Sequence, residues 1–180
     1  MGAIPEGLLW GLRRYLAAPQ ASVTTWQRQP FAGGLSGSAL EYWQLGLRRA
    51  GVQQSITLIY KRGAVAEGAF LRGAAQREAL VYAHLSPLIP LTLPTAVAFD
   101  VVRGDLWLLP FAAGKRTSHW QADWDAADAQ ATLDDLARLH SAGWGEEDRL
   151  AAYPWLARPI AADAAALLAD ARRGLDRIPP

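Results

Sequence analysis

Ser55-Ile56-Thr57-Leu58-Ile59-Tyr60-Lys61 is the stretch on which the fold turns. Ile56, Leu58 and Tyr60 alternate with Thr57, Ile59 and Lys61, the period of two that a strand requires. Upstream, residues 39–47 carry a second strand pattern, joined to this one by a turn over 50–53. Before it, Val23-Thr24-Thr25-Trp26 opens a β-branched and aromatic run from Ser22 that the segment 30–37, with glycines at 33, 34 and 37, is expected to break. The order is strand, glycine loop, strand, turn, strand.

Downstream the period changes. A helix is expected over 66–85, closed by Ser86-Pro87 and followed by a connector containing Pro90 and Pro94. Residues 95–102 and 106–111 then form a hairpin whose turn is Arg103-Gly104-Asp105. Beyond Gly114 the pattern is helical, first to about residue 142, with Leu133, Leu136, Ala137 and His140 on one face, and again over 160–175. At the N-terminus, Leu8, Leu9, Leu12 and Leu16, within residues 6–17, mark a short amphipathic helix ended by Pro19. The expected class is α+β: a five-stranded antiparallel sheet with one inserted helix, followed by helices. Three segments result, at 1–21, 22–114 and 115–180.

Composition narrows the function classes. At 51% hydrophobic residues the 180-residue chain has enough apolar material for a globular core, which excludes disorder over most of its length. Eighteen basic residues against 17 acidic ones, spread along the chain, offer no basic surface for nucleic acid. The absence of cysteine removes disulfides, thiolate nucleophiles and sulfur ligands, and suits a cytoplasmic location. No apolar run is long enough to span a bilayer, and the first ten residues do not resemble a secretory leader, so no membrane partner is expected.

Gly33-Gly34-Leu35-Ser36-Gly37 falls between two strands, where glycines let backbone N–H groups approach phosphate oxygens and Ser36 adds a hydroxyl donor. An ordinary flexible hairpin loop has the same composition. Lys61 ends its strand on the face of Thr57 and Ile59, directed inward or snorkelling to solvent. In the helix, Leu71, Ala74, Glu78, Val81 and Leu85 recur at spacings of three and four, which sets the Glu78 carboxylate in the middle of the apolar stripe. A carboxylate there needs a cation, and Lys61 is the natural one; a rotated helix would instead pair Glu78 with Arg77 or Arg72 at the surface. As an ordered set, glycine loop, strand lysine and helix glutamate are the parts of a phosphate clamp, in which the lysine orients phosphates and the glutamate fixes the lysine.

With these residues the chain resembles the aminoglycoside phosphotransferase and choline kinase-like family, a branch of the protein kinase-like fold. Residues 32–37 with Tyr42 and Gln44 resemble its first hairpin, Leu58-Ile59-Tyr60-Lys61-Arg62 its lysine strand, and the segment from Arg77-Glu78-Ala79 to Leu85 its first-lobe helix. Leu106-Trp107-Leu108-Leu109-Pro110-Phe111 is similar to the strand and hinge, and residues 136–142 to the helix opening the second lobe. The resemblance spans about residues 22–144. It implies a kinase-like N-lobe and the start of a C-lobe, ATP or GTP with magnesium as cofactor, and adenine packed against Ile59 and bonded to backbone around Leu109 to Phe111. Cofactor-binding residues would then be Gly33, Gly34, Ser36, Gly37, Ile59, Lys61, Glu78, Leu109 and Phe111.

The chain departs from that family in lacking a His-Gly-Asp segment and in containing no asparagine, so no catalytic aspartate or metal-binding residue can be assigned. The expectation is the nucleotide-binding part of a small-molecule phosphotransferase, incomplete and inactive alone, with a hydroxylated acceptor bound only if a C-lobe is supplied. The alternative is a non-catalytic nucleotide-sensing or protein-interaction module, and apolar surface from Leu133 to Leu175 is expected to cause self-association. His140 reads as a structural histidine. Asp123, Asp125 and Asp128 read as helix-capping residues rather than, with His119, a metal site.

Overall fold

The computed structural model describes residues 3–31, 39–63, 73–110 and 126–156, together with Ala165, Leu168, Ala169 and Arg172. Helix α1 (Glu6–Tyr15) precedes three strands, β1 (Ser22–Phe31), β2 (Leu40–Arg49) and β3 (Val52–Lys61). Helix α2 (Ala74–Leu80) runs into a π-helical turn (Val81–Leu85) and a 3-10 turn (Ser86–Leu88). Strands β4 (Ala96–Asp100) and β5 (Asp105–Leu108) follow, then α3 (Ala126–Gly143), α4 (Glu147–Ala151) and a 3-10 turn (Pro154–Leu156). The five strands form one antiparallel sheet in the order β1-β2-β3-β5-β4. The α+β class and the inserted helix are as expected from sequence. Among the described residues no helix is long and apolar enough to cross a membrane.

Directly paired residues share a face of the sheet, so the register sorts its side chains. Trp43 pairs with Leu58, and Tyr60 with both Glu41 and Trp107, on one face. That face carries the core of Trp43, Leu45, Leu47, Leu58, Val97, Ala98 and Trp107, to which α1 adds Leu8 and Leu12. Tyr60 stacks on Trp107 with ring centroids 4.9 Å apart, and Trp26 on Trp43 at 5.2 Å, so several tryptophans are packing residues. Gly11 lets α1 approach β4 closely, because a Cβ there would run into the Val97 carbonyl and Ala98. The opposite face carries Ile59 and Lys61, paired with Leu108 and Leu106.

Strand β1 does not break at Pro30, which pairs with Glu41 inside the ladder. It is an edge strand, where the missing N–H of proline costs no ladder bond. Ala50 and Gly51 alone make the β2–β3 turn, both with positive φ (48° and 83°), the two-residue geometry that matches strand twist. In the β4–β5 hairpin Asp105 is the first strand residue and is buried, whereas Asp100 organises the turn: its Oδ1 accepts the N–H groups of Val102 and Arg103, each at 3.0 Å.

Two helical expectations shift. The buried residues of α2 are Ala75 and Ala79, so its stripe lies one position from the expected one and Glu78 sits at its margin. Alanines let the helix approach the sheet, a packing signal that the larger residues outweighed in the pattern. On α3 no residue is buried; Leu133, Leu136, Ala137 and His140 all stand exposed, so His140 is not a core histidine. The proposed helix over 160–175 lies mostly outside the described residues.

Candidate functional site

Lys61 and Glu78 meet. The last residue of β3 points to the α2 face of the sheet, and its Nζ donates to Glu78 Oε2 at 2.5 Å. The side chains retain 20% and 37% of their exposure, so the pair is half sunk: shielded enough to be ordered, open enough for a ligand to reach. An ammonium has three donors, and one bond to Glu78 leaves two for other oxygens. The orientation follows from the sequence: alternation sets Lys61 with Ile59, and α2 places Glu78 beside the buried Ala75 and Ala79.

Around Lys61 the same face is apolar. Ile59 lies two residues back, flanked in register by Tyr42 on β2 and Leu108 on β5, and Leu40 stands opposite Lys61 itself. All are partly buried, and Tyr42 stacks on Phe31 with ring centroids 4.3 Å apart. Gly33, Gly34, Ser36 and Gly37 lie outside the described residues, but the ends that anchor their segment do not. Phe31 pairs with Leu40, Leu40 with Lys61, and the Arg62 N–H donates to the Ala39 carbonyl at 2.9 Å. At two strand spacings, Phe31 stands about 10 Å from Lys61 across the sheet.

At the other end of the expected site, the Leu109 N–H is given to the Thr95 carbonyl at 2.8 Å, and its side chain packs against the core on the opposite face. Pro110 has no N–H, so a backbone donor for a purine must come from elsewhere; Phe111 lies outside the described residues. His119, Asp123 and Asp125 lie outside them too. Among the described residues no three acidic or histidine side chains gather as a metal group. A hollow of about 520 Å³ lies on the far half of the sheet among Thr25, Gln27, Gln44, Ser55 and Thr57, and no titratable group lines it.

Sequence reasoning missed Asp105. Its buried carboxylate accepts the Gly63 N–H at 2.8 Å and bonds the Tyr60 hydroxyl. Burial, followed by the Asp105 charge and that hydrogen bond, pushes the Tyr60 phenol up to about 12. Tyr82, one turn after Glu78, is also raised, by burial first and then by the Glu78 charge. The available signal was periodicity: Asp105 shares the inward parity of Trp107 and Leu109, but a glycine before it and a turn reading of the tripeptide hid that. Compared with models of protein families, with curated proteins and with solved structures, the chain matches none.

Proposed function

We propose that the chain is a nucleotide-binding lobe of a phosphotransferase acting on a small hydroxylated substrate, with Lys61 and Glu78 as its phosphate clamp and the cytoplasm as its location. The observation that carries this reading is the ion pair of Lys61 and Glu78 between sheet and helix, set beside the anchors of a glycine-rich segment. Glu78 orients the ammonium, the remaining donors take phosphate oxygens of ATP or GTP, and the apolar floor of Ile59, Tyr42 and Leu108 suits a flat base. Gly33, Gly34, Ser36 and Gly37 would supply backbone and hydroxyl donors. Magnesium would be carried with the nucleotide's own phosphates, since no residue of this chain is assigned as its ligand. Without a His-Gly-Asp segment the proposal for this chain is confined to binding, and phosphoryl transfer would need residues that it does not supply.

Calorimetric titration of magnesium-ATP and magnesium-GTP into the protein tests it. Saturable binding that Lys61→Ala weakens by roughly tenfold or more is expected, from the loss of a charge-assisted hydrogen bond. No binding to the unaltered chain, or equal binding to the variant, overturns it. A second reading, an interaction module, is favoured by α3, where Leu133 is 60% exposed and the neighbouring Trp144 87%. It predicts association in sedimentation that Leu133→Glu abolishes and that nucleotide does not alter.

A further inference from the structure

The Lys61–Glu78 contact joins a strand to a helix, and each is held from the same third place. Asp105 opens β5 on the face opposite the Lys61 side chain. Its carboxylate takes the Gly63 N–H, two residues after Lys61, and the Tyr60 hydroxyl, one residue before it. The backbone carrying Lys61 is thus tied on both flanks to one buried group. Gly63 itself lies so close to the turn that a Cβ on it would collide with the Arg103 carbonyl.

The same turn meets α2. Gly104 has φ of +74°, and a Cβ on it would stand 2.7 Å from the Ala75 Cβ, in the helix turn just before Glu78. Its N–H is committed to the Asp100 carbonyl at 2.7 Å, so the turn is closed from within and cannot yield freely. Glycine is needed here for the positive φ and for the close approach alike. One residue of the turn therefore sets where the helix lies, and the next sets where the strand end lies.

We propose that the β4–β5 turn is the joint that positions the clamp, with Asp105 holding the Lys61 strand and Gly104 setting the seat of the Glu78 helix; this rests on reading the pair as a phosphate clamp. Neither residue touches the ligand. Both act through the distance between Lys61 Nζ and the Glu78 carboxylate.

Zero-length carbodiimide coupling reads that distance directly. The reagent activates a carboxylate, an amine in contact displaces the urea, and the resulting amide marks the pair by loss of one water. In the full chain, the Lys61–Glu78 product is expected by peptide mass spectrometry. Gly104→Val and Asp105→Ala should lower its yield by roughly fivefold or more, in proportion to the lost hydrogen bonds and displaced helix. Asp105→Asn, whose amide oxygen still accepts from Gly63, should restore most of it, which a general loss of stability would not. Circular dichroism identifies folded variants. Where the first two do not fold, Tyr60→Phe removes one tie and keeps the ring, and should also lower the yield. Unchanged yield in folded variants, or no product in the unaltered chain, overturns the joint. Magnesium-nucleotide titration of the same proteins separates the two ideas: coupling that depends on the turn without nucleotide binding refutes the clamp's ligand and leaves the joint standing.

Discussion

Removing Lys61 and Glu78 singly and together measures what their contact is for. With the lysine side chain 20% and the glutamate 37% exposed, the pair lies between two regimes. Fully exposed pairs contribute about 0.2–1 kcal/mol, and breaking a buried one costs about 3–5 kcal/mol because a charge is stranded. Here either partner left alone can turn to water, so a coupling of about 1 kcal/mol is expected from a cycle of Lys61→Ala, Glu78→Ala and the double variant. In a chain of this size that is a melting shift of about 2–4 °C per kcal/mol, readable by circular dichroism in thermal and urea scans. Nucleotide affinity should respond more steeply, since phosphate oxygens lose a charged donor. A coupling above about 3 kcal/mol would make the pair a structural bridge and refute the view of a ligand-ready ammonium. A coupling of zero would refute the contact itself.

The remaining predictions address the scaffold. Leu58→Ala, at a side chain with 0% exposure in the sheet core, should destabilise by about 2–5 kcal/mol in urea titration. Ala50→Asn should raise stability by about 0.5–1 kcal/mol, because Asn tolerates the positive φ of that turn better than Ala. The Tyr60 phenol is raised from 10.0 to about 12, so its native environment favours the protonated form. The associated stability is complete below pH 10 and is lost as pH rises through 12; Tyr60→Phe should flatten that stretch of the alkaline unfolding curve.

Alternation and spacing along the chain determined much of this protein's local structure. The polarity of residues 55–61 established β3 and the face of Lys61, and the switch to spacings of three and four placed a helix after it, because these periods are local properties of the backbone. The cost of an unpaired carboxylate near an apolar stripe left Lys61 or the neighbouring Arg77 and Arg72 as partners of Glu78, and the contact with Lys61 is one that the fold made. What only the tertiary structure decided depended on neighbours distant in sequence. Pro30 is tolerated because β1 is an edge, and the α2 stripe moved to Ala75 and Ala79 because close approach to the sheet rewards small residues. Asp105 became the tie behind Lys61 because β5 is inserted between β3 and β4, and strand order is set by the packing of the whole sheet, which no local pattern records.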